Sequence, residues 1–258
     1  ERIESLRGHF PAIKVIINGT PQGFAANHNM VLRRADAPYI ALLNDDILLH
    51  EGALDTLVNY LEANLRAAIA APSLQNADGS SQVSVYSDPG LLRTLYKISG
   101  FATWTNQQSA IRRGLLKLGV GRLIQAESLR NDESTRAVPV VKGVVMVVRK
   151  SALAEVGYMD ETTLAYGEEM DWHLRFRQAG WDVVHVAEVR VTHYGMGQVA
   201  LRMRGRLLVE DRKANLYYFL KHRPRWQAEV VRVSIIWFHL WYALSWVLFD
   251  LERASSHW

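Results

Sequence analysis

The sequence predicts an α/β fold: a mostly parallel sheet flanked by helices, with a helical C-terminal extension. Three observations predict it. Short apolar runs alternate with helix-spaced segments over the first third of the chain, the rhythm of strands joined by crossover helices. Strand and helix signals resume after residue 137. The last stretch is first basic and then apolar without formal charge, which suits long helices rather than more sheet.

Each element follows from local signals. Ile13-Lys14-Val15-Ile16-Ile17 is a β-branched run closed by Asn18-Gly19, and reads as a strand. Gly23 to Arg34 reads as a helix that stops before Pro38. Tyr39 to Leu43 is a buried type of strand, closed by Asn44-Asp45-Asp46. Leu54, Leu57, Val58, Leu61 and Leu65 recur at helical spacing. Asn76 to Ser81 is a turn between two strands. Residues 88–136 carry weak signals, and Arg112, Arg113, Lys117 and Arg122 place a surface helix or loop there. Val138 to Arg149 reads as one strand containing Gly143, and Ser151 as the cap of a short helix ending near Gly157. Glu168 to Ala179 is a helix closed by Gly180. Two short strands follow, Val183 to Val186 and Val189 to Thr192. The simplest division is residues 1–197 as one domain and 198–258 as an extension.

Composition narrows the function classes. With 49% apolar and 22% charged residues, the chain is neither disordered nor collagen-like nor a polytopic membrane protein. It holds no cysteine, which excludes a disulfide scaffold, a thiolate zinc site and a cysteine nucleophile. A net charge of +4 implies local basic patches, and no nucleic-acid partner is expected.

Three clusters could carry chemistry. Asn44-Asp45-Asp46 ends a buried strand, where open α/β sheets bind ligands. Its adjacent acids repel each other unless a cation is present, and a hard divalent ion takes oxygen ligands and phosphates. The plainer reading is a polar turn. Glu168-Glu169-Met170-Asp171 opens a helix, where acids also simply complement the helix dipole; the functional reading is a general base tuned by burial. His193 ends a strand, and imidazole joins carboxylates in Mn²⁺-type sites, although a lone histidine is more often structural.

Four blocks in order resemble the family 2 glycosyltransferases of the GT-A fold, nearest to the bacterial rhamnosyltransferase-like subgroup. They are Gly23-Phe24-Ala25-Ala26-Asn27-His28-Asn29; Leu42-Leu43-Asn44-Asp45-Asp46; Val141 to Arg149 with Val156-Gly157-Tyr158-Met159-Asp160-Glu161; and Tyr166 to Asp171 through Arg175, Ala179-Gly180-Trp181 and Val191-Thr192-His193. The resemblance implies inverting transfer of a sugar, rhamnose or a related hexose, from a nucleotide diphosphate donor. The acceptor would be a hydroxyl of a glycan or lipid-linked molecule in cell-wall or surface polysaccharide synthesis. It also implies roles. Asp46 and His193 would hold a divalent metal, Mg²⁺ or Mn²⁺. Gly23, Asn27, Asn44, Asp45 and Gly143 would lie on the donor. Glu169 would be the catalytic base, with Glu168, Asp171 and Trp172 around the acceptor.

Two departures from the family pattern stand out. The base position usually holds aspartate. The family's first strand lies upstream of the first block, so an N-terminal segment is expected to be missing from this chain. Two other classes compete: a metal-dependent nucleotidyl or phosphoryl transferase, and a degenerate non-catalytic sugar-binding protein. No Gly-x-x-x-x-Gly-Lys loop supports the former.

The extension carries its own expectation. Residues 200–232 hold nine Arg or Lys against three acids, and the seventeen residues from Val233 to Phe249 carry no formal charge but include Trp237, Trp241 and Trp246. That run is at the short limit for spanning a bilayer, whose core needs about 20 apolar residues. Tryptophans and preceding basic residues suit peripheral docking at the inner, cytoplasmic face of the cell membrane. A homodimer interface is the other use of such a helix.

Overall fold

A computed structural model of the chain describes residues 2–99, 134–163, 166–195 and 204–255. The weak region's Arg112, Arg113, Lys117 and Arg122 lie outside the described residues, as does the expected division at 197.

The elements run in the order α1 (Arg2–His9), α2 (Phe24–Leu32), β1 (Tyr39–Leu43), β2 (Ile47–Leu49), α3 (Ala53–Ala63), β3 (Ala67–Gln75), β4 (Ser81–Gln82), β5 (Val85–Tyr86) and α4 (Leu91–Ile98). After these come β6 (Arg136–Ala137), β7 (Val140–Val141), β8 (Val145–Arg149), α5 (Lys150–Val156), α6 (Glu168–Gln178), β9 (Asp182–His193), α7 (Arg204–His222) and α8 (Arg225–Ser255). The main sheet has the order β1-β8-β3-β9-β2, with β4 on β3 and β6 on β9, while β5 and β7 form a separate ladder.

The α/β class holds, and the sheet is mixed rather than mostly parallel. β3 and β9 pair in parallel; the other described ladders are antiparallel. The crossover rhythm is still real, because β1, β3 and β9 share one direction. β8 inserts between β1 and β3 and runs against both, so a strand distant in sequence separates two strands that α3 connects.

Strand alternation builds two cores, one on each face. Met146 and Val148 of β8 face Ala25, Leu32, Trp172 and Phe176 of α2 and α6. Val145 and Val147 face the opposite way, onto Leu57 and Leu61 of α3 with Val184, Val186 and Val191 of β9. These are period-2 strands with both faces buried, hence their continuous apolar runs. A third cluster joins Ile98 of α4 to Tyr218 and Phe219 of α7 and Ala228 and Val231 of α8.

Several local expectations change. Ile13 to Ile17 forms no strand; Ile13, Ile16 and Ile17 are exposed. The run pairs with no described strand, and β-branched propensity expresses itself only against neighbours. The stretch 138–149 breaks at Lys142 to Val144, where Lys142 N–H donates to Ser84 O at 2.8 Å. The two strands expected over 183–192 are one strand, β9, with a register shift opposite Pro72 and Ser73. Helix α5 starts at Lys150, with Arg149 rather than Ser151 in the N-cap position and no side-chain cap.

Candidate active site

Pairing of β2 with β9 places Ile47 opposite His193, and Tyr194 N–H donates to Asp46 O at 2.9 Å. Asp46 and His193 therefore meet at one end of the sheet, with His193 Nε2 3.4 Å from Asp46 Oδ2. Asp46 Oδ1 is buried without a hydrogen-bond partner. His193 Nδ1 lies 2.6 Å from Gln82 Oε1, and Lys142 Nζ donates to the same oxygen at 3.1 Å. Burial lowers the proton affinity of His193, against the pull of Asp46. It also lowers that of Lys142, which Asp46 and Glu169 partly restore. Asp45 is exposed beside this group and Asn44 is half-buried, its N–H donating to Val144 O at 3.0 Å.

The first turn of α6 forms the second part. Gly167 precedes it with a φ of +86°, in a left-handed conformation that glycine adopts freely. Glu169 then lines a cavity of about 240 Å³ together with Lys142, Lys97, Tyr166, Asp211 and Tyr218. Burial raises the proton affinity of Glu169, and the nearby Lys97 and Lys142 only partly offset it. Burial likewise raises Glu168, and the charge of Glu169 adds to the effect. The pair is thus held above the ordinary carboxylate range, where a general base operates near neutral pH. Lys142 belongs to both parts: it lines the cavity, and its ammonium feels Asp46 as well as Glu169.

The remaining expected site residues fall in different places. Gly23 is buried at the start of α2, and Asn27 one turn later accepts from Asn18 Nδ2 at 2.6 Å. Gly143 abuts α2: a Cβ there would sit 3.6 Å from the Phe24 ring. The glycine-rich first block and the Lys142–Gly143 break are therefore neighbours. Glu168 is buried behind Glu169, with Oε2 unpartnered.

Asp171 and Trp172 do not line the cavity. Asp171 Oδ1 takes Lys221 Nζ and His222 Nε2, each at 2.7 Å, and its Oδ2 takes Arg175 Nε at 2.9 Å. Trp172 is fully buried, and its Nε1–H donates to Gly157 O at 2.8 Å. On a helix, residues two and three positions beyond Glu169 are turned by about 200° and 300°, from 3.6 residues per turn. That rotation carries Trp172 into the core and Asp171 onto α7.

Sequence reasoning passed over Gln82, Lys97, Lys142 and Asp211. Lys97 Nζ and Asp211 Oδ1 pair at 2.6 Å across the cavity. Helices α4 and α7 are far apart in sequence, so no local pattern marks the pair. Lys142 lies inside the third family-like block, and its place in a strand-breaking stretch beside Gly143 is the one available signal.

Among the described residues, no group of three or more His, Cys, Asp or Glu side chains could hold a metal ion. The Asp46–His193 pair still fits a divalent ion whose other ligands come from a diphosphate and water. Asp46 Oδ1 is a buried carboxylate oxygen lacking a partner, and a ring nitrogen stands beside its other oxygen.

A family model described as "glycosyltransferase like family 2" matches residues 3–227. The chain is 22% identical over 231 residues to an N-acetylglucosaminyl-diphospho-decaprenol L-rhamnosyltransferase of Mycobacterium tuberculosis, covering 85% of this chain and 71% of that protein. It is 25% identical over 185 residues to the rhamnosyltransferase WbbL of Escherichia coli, covering 69% of this chain and 63% of that protein. Among solved structures, a crystal structure of GalNAc-T7 with UDP, GalNAc and Mn²⁺ superimposes with a TM-score of 0.52 at 14% identity. It covers 75% of this chain, which spans 34% of that one, and at that identity the likeness shows the GT-A-like fold alone.

Proposed function

The chain belongs to glycosyltransferase family 2, and on that premise we propose that it transfers a sugar from a nucleotide diphosphate donor to an acceptor hydroxyl, with inversion. The observation that carries the reading is Glu169. It stands on the wall of a cavity, its proton affinity raised by burial, with Lys142 linking it to the Asp46–His193 end of the sheet. Glu169 takes the acceptor proton as the acceptor oxygen bonds to the anomeric carbon. The bond from that carbon to the diphosphate oxygen breaks, and nucleoside diphosphate leaves. General-base assistance of this kind is worth about 10²–10⁴-fold. One displacement inverts the centre and needs no covalent sugar–enzyme intermediate.

Asp46 and His193 would hold Mg²⁺ or Mn²⁺. A bound ion would offset the charge that develops on the leaving diphosphate. The Lys142 ammonium stands beside the same end of the sheet and offers a fixed positive charge there. Asn44, Asp45, Gly23, Asn27 and Gly143 would surround the donor. The named activities of the relatives support a rhamnosyl or related hexosyl donor and a lipid-linked or glycan acceptor. The domain division is a proposal too: residues 1–197 carry the sheet, while α7 from the extension closes the cavity through Asp211 and Tyr218.

Helix α8 supports docking at the inner face of the membrane. None of the helices among the described residues is long and apolar enough to cross one. Its side chains at Trp226, Val230, Val233, Trp237 and Leu240 are exposed at helical spacing, while Ala228, Val231, Ile235 and Phe238 pack on the protein. A homodimer is the competing occupant of that stripe. The deciding experiment for the activity is a panel of nucleotide sugars with Mg²⁺ or Mn²⁺ and lipid-linked or glycan acceptors. Release of nucleoside diphosphate is expected; pyrophosphate would identify nucleotidyl transfer, and no turnover with any donor would favour a sugar-binding protein.

A further inference from the structure

We propose that the turn and strand from Asn76 to Gln82 form a positioning device that holds the His193 ring in one tautomer, hydrogen on Nδ1 and lone pair on Nε2 facing Asp46. The proposal rests on the reading of Asp46 and His193 as a cation site and adds the residue that aims the histidine.

A chain of hydrogen bonds, its direction forced at every link, sets the ring. Asp78 is an acceptor at its start: its Oδ1 takes the Ser80 hydroxyl at 2.6 Å and the Ser80 N–H at 2.9 Å. The single Ser80 hydrogen is thereby used, so Ser80 Oγ must accept from Asn76 Nδ2 at 2.9 Å. Asn76 Oδ1 is left to accept from Gln82 Nε2 at 2.8 Å. Two further contacts set the Gln82 amide the same way. Its Nε2 donates to the carbonyl of His193 at 3.3 Å, and carbonyls cannot donate. Its Oε1 accepts from Lys142 Nζ at 3.1 Å, and an ammonium cannot accept. Gln82 Oε1 therefore faces His193 Nδ1 at 2.6 Å, and the hydrogen between them belongs to Nδ1.

In the neutral ring the remaining lone pair is then on Nε2, 3.4 Å from Asp46 Oδ2. Two acceptors face each other with no hydrogen between them, beside the unpartnered Asp46 Oδ1. That arrangement is unfavourable by itself and becomes favourable around a cation. Outer partners of metal-bound histidines act in this way, and losing one typically weakens metal binding about 10–100-fold. Gln82 is a positioning residue, since it acts through the His193 ring.

The test uses the full chain labelled with ¹⁵N-histidine, with His193→Gln to assign the ring. In metal-free wild type, the long-range ¹H–¹⁵N pattern of His193 is expected to be that of the Nδ1–H tautomer. Gln82→Leu should populate the Nε2–H form, and Gln82→Glu, still an acceptor at that place, should keep Nδ1–H. Mn²⁺ alone, titrated by water-proton relaxation, should bind Gln82→Leu about 10–100-fold more weakly than wild type and bind Gln82→Glu nearly as before. A packing role would give the reverse order, because leucine fills the space and a buried carboxylate disturbs it. Asn76→Leu, which removes the prop without touching His193, should shift both readouts in the same direction if Gln82→Leu fails to fold. An Nε2–H wild type, or equal Mn²⁺ affinity in wild type and Gln82→Leu, overturns the proposal. A wild type with the Nδ1–H signature that takes up no Mn²⁺ even in the presence of a nucleoside diphosphate overturns the cation reading alone.

Discussion

Glu168 and Glu169 are adjacent, yet only Glu169 reaches the cavity; Glu168 lies behind it, buried and repelled by its neighbour. Their roles separate on mutation. Glu169→Gln should lower kcat by about 10²–10⁴ with donor affinity nearly intact, read by steady-state kinetics and donor titration. Glu168→Gln should stay active and move the acid limb of the kcat/KM profile to lower pH. The sign follows from linkage. Both carboxyls are raised, so the base loses its proton only above the usual glutamate range, and removing one negative neighbour eases that loss. A crippled Glu168→Gln with a healthy Glu169→Gln would reverse the assignment. Asp46→Ala should abolish donor turnover in Mg²⁺ or Mn²⁺ while circular dichroism and thermal melting show an intact fold. Full turnover in the presence of a chelator would contradict the metal reading.

At the scale of elements, α7 is tied to α6 by Asp171. Burial opposes ionisation of that carboxyl, but Lys221, His222 and Arg175 outweigh it and hold it below the usual aspartate range. Asp171→Ala should therefore destabilise the fold by about 1.5–3 kcal/mol, since the partly buried Arg175 and His222 lose a charged hydrogen-bond partner. Chemical denaturation would measure it. A depressed carboxyl contributes stability that is complete above its unfolded-state value and is lost as the pH falls through its folded value. The gap between wild type and Asp171→Ala should accordingly shrink in strong acid. Gly167→Ala is expected to disturb the same joint more mildly. The left-handed backbone costs a side chain about 1–2 kcal/mol, and the new Cβ would lie 3.1 Å from the Ala214 Cβ of α7. An alanine variant as stable and active as wild type would show that α7 yields there.

Across the whole molecule, the extension is both a wall of the site and an outward-facing surface. Four of the nine Arg or Lys in residues 200–232 pair with neighbouring acids: Arg212 with Asp211, Lys213 with Glu210, Lys221 with Asp171 and Arg232 with Glu229. The expected attraction of the basic stretch to anionic lipid is thereby reduced, and the exposed apolar stripe of α8 becomes the main contribution. Co-sedimentation with anionic vesicles should consequently persist in high salt, because burial of apolar side chains is not screened as exposed charges are. Trp237→Glu and Leu240→Glu together should release the chain from vesicles. Protein that stays in the supernatant but forms a dimer broken by the same pair would assign the stripe to a second copy instead.

The sequence alone determined the elements whose signals are local. The helix from Phe24, the strand Tyr39 to Leu43, the amphipathic α3 and the acidic start of α6 all lie where spacing and punctuation put them. It also marked Asp46, Glu169 and His193 as candidates, through their places in blocks that resemble the family. Tertiary structure decided everything that depends on neighbours. Ile13 to Ile17 had the composition of a strand, but pairing requires another strand beside it. β8 was recognisable as sheet, but its place between β1 and β3 is a matter of long-range pairing. Asp171 and Glu169 were equivalent as acids in one helical turn, until helix rotation turned one toward α7 and the other into the cavity. Gln82 carried no functional mark of its own, and Lys142 only its place beside Gly143. Their meaning comes from one shared oxygen, brought together by strands that only the folded sheet makes adjacent.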